Sequence, residues 1–174
     1  MADTLDSRLA VRLRLKKDFK YYAAHCLKIR TKEGSVTPFV LNKSQEYALD
    51  KLLEQWLETG RIRAVVLKGR QQGFSTMIAG FYYWLTTHRR GFKTFILAHE
   101  AEATKTLFDM TRRYHENVPE IVKPSSKYAS RHELVFGNLD SGYRTATAGG
   151  DSAGRSETIQ ALHASEQAFW PGNS

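Results

Sequence analysis

The chain is 174 residues long, with 41% hydrophobic, 25% charged and 11% aromatic residues. This length and apolar content suffice for one folded domain with a core, and they exclude a disordered or low-complexity chain. The single cysteine, Cys26, excludes an internal disulfide framework and indicates a reducing compartment. The formal net charge of +8 favours polyanionic partners, although a generic solvated basic surface accounts for it equally well.

Two helices are predicted in the first sixty residues. Residues 5–28 carry apolar side chains at helical spacing together with several arginines and lysines. An amphipathic helix with a solvated face is favoured there over a helix that contacts a phosphate backbone. A turn cluster follows at residues 31–35. The second helix is predicted from Ser44 to about Thr59, with Ser44 as its N-cap and Gly60 at its end.

Strands and helices alternate from residue 63 onwards. Arg63 to Leu67 is predicted as a buried strand, residues 75–87 as a helix, residues 94–98 as a second buried strand and residues 101–115 as a helix. This alternation is typical of a parallel sheet with crossover helices. Further strands are predicted at residues 134–136, 143–148 and 158–164, and loops at residues 120–130 and 149–156.

One segment between a predicted strand and a predicted helix has the composition of a phosphate-binding loop. It reads Lys-Gly-Arg-Gln-Gln-Gly-Phe-Ser-Thr over residues 68–76. In such loops, backbone N–H groups and a helix N-terminus converge on an anion. The usual pattern is G-x-x-x-x-G-K-[ST], and Gly73 and Ser75 match its second glycine and its hydroxyl residue. Phe74 occupies the lysine position, and Lys68 occupies the first glycine position.

The displaced lysine leaves two interpretations open. Because the two ends of a phosphate loop lie close together, the Lys68 ammonium can reach the phosphates in place of the cation missing at Phe74. Arg70 adds a second cation to the loop. The alternative is a tight turn whose basic residues lie on a solvated edge. The strand–loop–helix context favours the nucleotide site.

Two further segments complete a candidate nucleotide site. Gln45 lies upstream, and its amide offers a donor and an acceptor that suit the edge of adenine. The predicted strand 158–164 runs into Ser165 and Glu166, and a carboxylate beside a phosphate loop can orient and deprotonate a water. Ser165 occupies the place of a metal-facing aspartate, so Mg²⁺ is expected to bind Ser75 directly. A single exposed glutamate at a strand end is the simpler alternative.

Together these motifs resemble the large terminase subunit of tailed bacteriophages. The resemblance runs from about Asp18 to Pro171. It rests on Gln45, the loop at residues 68–76, Thr-Ala-Gly at 147–149, Gly-Arg-Ser-Glu-Thr at 154–158 and Leu-His-Ala-Ser-Glu-Gln-Ala-Phe-Trp at 162–170.

This resemblance implies a RecA-like P-loop core, an α/β fold whose mostly parallel sheet is flanked by helices. It implies hydrolysis of ATP with Mg²⁺ to drive double-stranded DNA into a procapsid. It also implies three partnerships during packaging: the small terminase subunit, the portal protein of the procapsid and further copies of the chain in a homo-oligomeric ring. The implied location is the host cytoplasm, without a membrane.

The resemblance also implies roles for individual residues. Glu166 would be the catalytic carboxylate, Lys68 the displaced loop lysine and Arg70 the arginine that stabilises the transferring phosphate. Mg²⁺ would be held by Ser75 and Glu166, with Ser165 acting indirectly. The implied nucleotide contacts are Gln45 at adenine and, around the phosphates, Lys68, Gly69, Arg70, Gln71, Gln72, Gly73, Phe74, Ser75 and Thr76.

The resemblance divides the chain into a helical region with the adenine motif, residues 1–60, and a partial RecA-like core, residues 61–174. Such a motor also needs further strands, a coupling segment and a nuclease domain. We therefore expect a core truncated after the carboxylate strand, with weak or no hydrolysis by these residues alone.

Two other functions remain open at this stage. The first is a helicase lobe of superfamily 2, which would normally show an intact GK[ST] and an Asp-Glu pair, and this chain has neither. The second is a non-catalytic basic DNA-binding domain, whose stability would not respond to ATP. A metal site is disfavoured because His99, Glu100 and His163 lack the H-E-x-x-H spacing. Asp109, His115 and Ser152 suggest no nucleophile triad.

Overall fold

A computed structural model describes residues 2–67, 69, 72–149, 158–167 and 170, with side chains from Ser7 onwards. Its helices are α1 (Ala2–Lys17), α2 (Phe19–Cys26), α3 (Lys43–Thr59), α4 (Phe74–His88) and α5 (Ala101–Asn117). Its strands are β1 (Lys28–Arg30), β2 (Val36–Pro38), β3 (Lys93–Ala98), β4 (Tyr128–Ala129), β5 (Glu133–Phe136), β6 (Ser141–Thr147) and β7 (Ala161–Ala164). No helix in these ranges combines the length and apolar character needed to cross a bilayer.

The main sheet has five strands in the order β4-β5-β6-β3-β7. Strand β3 pairs in parallel with both β6 and β7, so that Thr94 faces Tyr143 on one side and Ala161 on the other. The pairs β4–β5 and β5–β6 are antiparallel. The predicted α/β class is therefore confirmed, but the sheet is mixed rather than mostly parallel. The short turn between β5 and β6 cannot make the crossover that a parallel pair requires.

The predicted strand Arg63–Leu67 is wrong. Residues 62–67 have no regular structure, and the side chains of Val65 and Leu67 are 98% and 102% exposed. The backbone of Arg63 instead pairs with Gln55 of α3, whose side chain accepts from Arg63 N at 2.7 Å and donates to Arg63 O at 3.1 Å. A β-branched run becomes a strand only where a neighbour satisfies its backbone groups, and no described strand lies beside this one.

The single helix predicted for residues 5–28 is two helices separated at Asp18. The Asp18 backbone is extended, with φ −121°, and its side chain accepts a hydrogen bond from Tyr21 N at 2.9 Å. Asp18 thus caps α2 rather than continuing α1, because a short acidic side chain competes with helical hydrogen bonding and favours an N-cap.

The predicted second helix is confirmed as α3, but its N-cap is Asn42 rather than Ser44. Asn42 accepts from Gln45 N at 2.9 Å, and Gln45 accepts from Asn42 N at 3.0 Å, which is a complete capping box. Gly60 ends the helix as predicted, in the left-handed region with φ 71°.

The remaining predicted helices and strands are confirmed with shifted ends, and β7 starts three residues later than expected. The sequence did not predict the antiparallel hairpin β1–β2, which closes over the expected turn at residues 31–35. Its tight corner uses Gly34 with φ 88°. The predicted loop 149–156 lies outside the described residues except for Gly149.

The first helices and α4 share one hydrophobic core. Phe19 of α2 packs edge-on against Phe81 of α4, with ring centroids 5.2 Å apart. The Trp84 indole donates to Leu15 O at 2.8 Å, which anchors the end of α1. Residues on both sides of residue 60 contribute to this core. The domain boundary predicted at residue 60 stays a prediction.

Candidate nucleotide site

The N-terminus of α4 lies at the described end of the predicted phosphate loop. Its N-cap is Gly73, with φ 71°, and among the described residues no side chain makes a capping hydrogen bond there. The first N–H groups of a helix have no intrahelical acceptor, and the helix dipole adds partial positive charge there. The described end of the predicted phosphate loop therefore has the donor arrangement that a phosphate group requires.

Gly73 is held in place by Gln45. The Gln45 side chain is 4% exposed, and its amide nitrogen donates to Gly73 O at 2.8 Å. Asn42 donates to the neighbouring Gln72 O at 3.4 Å. A Cβ built on Gly73 would lie 2.7 Å from the Gln45 amide nitrogen, so both the φ angle and the close approach require glycine. The capping box of α3 thus also anchors the loop.

The predicted adenine contact of Gln45 stays a prediction. Both amide atoms already have protein partners, because the oxygen accepts from Asn42 N and the nitrogen donates to Gly73 O. An amide has a second N–H and a second lone pair, so a further contact is chemically available. The observed contacts give Gln45 a role in fixing the loop, which the sequence did not indicate.

The first turn of α4 is also fixed from α5. Tyr114 donates to Thr76 O at 3.0 Å, and the Thr76 hydroxyl lies 3.8 Å from the sulfur of Met110. Burial raises the pKa of the Tyr114 phenol, so it remains a proton donor across the physiological range. Phe74 and Ser75 are half-buried at this turn. These contacts therefore fix the position of the first turn of α4.

The acidic strand end is equally well fixed in its backbone. Ser165 is 7% exposed, its N–H donates to Leu97 O at 2.8 Å and its carbonyl accepts from the Trp170 indole at 3.1 Å. Glu166 follows with φ 53°, in the left-handed region that non-glycine residues rarely adopt, and its side chain is 48% exposed. A strained residue with an exposed carboxylate at a strand end is a recurrent feature of functional sites.

The start of α4 and Glu166 lie toward the same end of strand β3. α4 runs against β3, because the hydroxyls of Thr86, near the helix end, and Thr94, near the strand start, lie 2.8 Å apart. At about 1.5 Å per helical residue, Phe74 lies roughly 18 Å along α4 from Thr86. At about 3.3 Å per strand residue, His99 lies roughly 16 Å along β3 from Thr94.

A second contact ties α4 to the acidic strand itself. The Tyr82 hydroxyl of α4 donates to Leu162 O of β7 at 3.0 Å. Burial raises the pKa of Tyr82, which keeps this donor protonated. Tyr82 therefore links the helix that begins at the loop to the strand that ends at Glu166.

His99 joins the acidic end from the neighbouring strand. It follows β3 directly, and its Nδ1 lies 3.4 Å from a carboxylate oxygen of Glu166. The sequence considered His99 with Glu100 only as metal ligands. Within the described ranges, no group of three His, Cys, Asp or Glu side chains is close enough together to hold a metal ion.

The other predicted site residues differ in what the structure describes of them. Lys68, Arg70 and Gln71 lie outside the described residues, so their predicted phosphate contacts stay predictions. The oxygen atoms of Ser75 and Glu166 are of the kind that Mg²⁺ binds, and both lie at the carboxyl end of the sheet. Gly69 and Gln72 are exposed. The residues that the sequence missed are Asn42, Tyr82, His99 and Trp170, and of these only Asn42 had a readable signal, the N-cap pattern N-x-x-Q.

Comparison with known proteins identifies no relative: no protein-family model matches the chain, and no curated protein matches it.

Proposed function

We propose that this chain binds Mg²⁺-ATP at the N-terminus of α4 and hydrolyses it with Glu166 as the water-activating carboxylate. More specifically, we propose that it is a RecA-like ATPase of the large-terminase type that acts on double-stranded DNA. The observation that carries the proposal is that the N-terminus of α4, at Gly73, and the exposed carboxylate of Glu166 lie toward the same, carboxyl end of the parallel strands β3 and β7. Ligands in open α/β sheets bind at this end.

Each described residue has a definite task in this proposal. The first-turn N–H groups of α4 bind phosphate oxygens, and Gln45 keeps Gly73 close enough to present them. The Ser75 hydroxyl is the candidate protein ligand of Mg²⁺, which neutralises phosphate charge when bound. Glu166 accepts the proton of a water placed in line with the terminal phosphate. Lys68 and Arg70 are the proposed loop cations.

Nucleotide binding is tested by thermal unfolding with a non-hydrolysable ATP analogue and Mg²⁺. A ligand that binds the native state raises Tm, by an amount equivalent to about 2.7 kcal/mol at a hundred times its Kd. We expect a rise that requires Mg²⁺. No rise at millimolar analogue contradicts the proposal and favours the non-catalytic DNA-binding alternative.

The role of Lys68 is tested against a matched surface cation. Lys68→Ala is expected to remove most of the analogue-dependent rise in Tm, because an ammonium is lost from the terminal phosphates. Arg63→Ala removes an exposed cation on the other side of the same segment and is expected to leave the rise intact. Equal effects of the two substitutions would assign the contribution of Lys68 to general surface charge.

The role of Glu166 is tested by Glu166→Gln. The substitution keeps the size and removes the base, so analogue binding is expected to persist while phosphate release falls by about a hundredfold or more. Wild-type phosphate release by this variant would reassign the water-activating residue.

Binding to double-stranded DNA is expected to weaken steeply with salt and to ignore base sequence, because phosphate contacts release counterions. Fluorescence anisotropy between 50 and 200 mM salt, the range over which about 10³-fold losses occur for several phosphate contacts, measures this slope. A salt-independent, sequence-selective complex would contradict a motor that tracks the DNA backbone.

A further inference from the structure

His99 lies between two carboxylates at the carboxyl end of β3. Its Nδ1 is 3.4 Å from Glu166 Oε2, and its Nε2 is 3.4 Å from Glu100 Oε1. The imidazole is 19% exposed, whereas the side chains of Glu166 and Glu100 are 48% and 63% exposed. A mostly buried ring thus contacts two solvent-facing acids.

We propose that His99 is a positioning residue that fixes the direction of the Glu166 carboxylate. The inference rests on the proposed ATPase function for its catalytic consequence. The contact between the two side chains can be tested independently of that function.

The Glu166 carboxylate needs such a partner. Its backbone is constrained by its left-handed φ of 53° and by the Ser165 N–H bond to Leu97 O. These constraints end at the Cα atom, and a half-exposed glutamate has three rotatable bonds beyond it. A misplacement of about 1 Å in a catalytic group can cost about a hundredfold in rate. Contact with His99 restricts the remaining freedom.

His99 is suited to this task by its location. It follows the central strand of the parallel set, and the preceding residue Ala98 accepts a backbone hydrogen bond from Ala148 at 2.8 Å. The imidazole has two side-chain torsions and loses little entropy on ordering, because it is already mostly buried. A ring fixed to the centre of the sheet can therefore orient a longer side chain on the neighbouring strand.

Glu100 is a second possible hydrogen-bond acceptor for the His99 ring. A neutral imidazole carries one N–H, so it can donate to only one of the two carboxylates at a time, whereas an imidazolium can donate to both. Glu100 precedes α5 as its N-cap residue but makes no side-chain capping bond. Glu100 is thus positioned to compete with Glu166 for His99.

Three substitutions of His99 separate the two contacts. In His99→Asn the amide nitrogen can lie where Nδ1 lies and can retain Glu166. In His99→Gln it can lie where Nε2 lies and can retain Glu100, and His99→Ala retains neither. We expect kcat for ATP to be close to wild type for Asn, and about tenfold or more lower for Gln and Ala, with little change in KM. The control is His132→Asn, which changes an exposed histidine just before β5, two strands away from β3 in the sheet. It should leave kcat unchanged.

A spectroscopic measurement tests the contact without ATP. We expect Glu166→Gln to change the imidazole ¹⁵N chemical shifts of His99, because the partner of Nδ1 changes from an anion to a neutral amide. Glu102→Gln removes a charge from the exposed first turn of α5 and should change them much less.

The outcomes separate the two proposals. Unchanged kcat in His99→Ala, or equal losses in Asn and Gln, overturns the positioning role, and so do ¹⁵N shifts that ignore Glu166→Gln. If Mg²⁺ and the ATP analogue leave the Tm of the wild-type chain unchanged while the His99 shifts respond to Glu166→Gln, the ATPase proposal fails and the contact stands. Selective loss in Gln and Ala together with the shift response supports both.

Discussion

Each flank of the candidate loop is held by a glutamine of α3, but the two glutamine contacts differ in how deeply they are buried. Gln45 is 4% exposed and binds Gly73 on the helix side. Gln55 makes two hydrogen bonds to Arg63 on the other side, but that pairing is exposed to solvent and is followed by the fully exposed Val65 and Leu67. The helix side is thus held by one hydrogen bond from a buried side chain, and the other side by two solvent-exposed hydrogen bonds.

The difference shows which interactions position this loop. The helix side combines the buried Gln45 amide, the capping box with Asn42 and the bond from Tyr114 to Thr76 O. In that setting a lost partner leaves a buried polar group unsatisfied, which costs more than breaking a solvated bond. The flank at residues 62–67 has no such penalty, because water satisfies its backbone. Four substitutions test this contrast, from the largest expected effect to the smallest.

Gly73→Ala is expected to be the most damaging change. It places a Cβ at a φ of 71° and 2.7 Å from the Gln45 amide nitrogen. The left-handed conformation and the overpacking together predict a loss of about 2–4 kcal/mol in the free energy of unfolding. Urea denaturation measures it. Gly60→Ala has the same φ with nothing within 4 Å, so its loss should be about 1 kcal/mol. Equal losses would mean that the close approach to Gln45 is unimportant.

Gln45→Ala is expected to cost about 2 kcal/mol, because two partly buried hydrogen bonds are lost and Gly73 O and Asn42 N lose their partner. Gln55→Ala also removes two hydrogen bonds to backbone, but exposed ones, so we expect at most about 0.5 kcal/mol. The comparison is made by urea denaturation of both variants. A larger loss for Gln55→Ala would reverse the ranking of the two flanks.

Tyr114→Phe is expected to cost about 1 kcal/mol, because Thr76 O loses a donor at the first turn of α4 while the ring packing is retained. Thermal unfolding measures the change, and amide hydrogen exchange should report faster opening of that turn. Tyr128→Phe, on an exposed strand residue, is the matched control and should be neutral. Unchanged exchange in Tyr114→Phe would show that α5 does not fix the helix start.

Leu67→Ser is expected to change the free energy of unfolding by no more than about 0.5 kcal/mol, because the side chain is fully exposed. Leu49→Ala, at a buried position of α3, should cost about 2–5 kcal/mol in the same urea titration. A loss of several kcal/mol in Leu67→Ser would mean that residues 62–67 pack as the strand predicted from their sequence.

The sequence correctly predicted those helices and strands whose signals lie in neighbouring residues. The end of α3 at Gly60, the extent of α4 and the strand β3 follow from capping chemistry, apolar spacing and β-branched runs. It failed at Arg63–Leu67 because a hydrophobic run does not specify a pairing partner. It also missed β4, which is only two residues long and lies in the predicted loop 120–130, and it did not predict that β5 and β6 pair antiparallel.

The sequence by itself determined that the chain is an α/β protein with a glycine-bearing loop before a helix and a carboxylate after a strand, since these features depend on neighbouring residues. Only the tertiary structure decided that Gln45 anchors Gly73, that Tyr82 ties α4 to β7 and that His99 meets Glu166. Those contacts join residues separated by 28 to 80 positions and depend on which elements pack together. No local pattern encodes that choice, because it is made by the burial of the whole core.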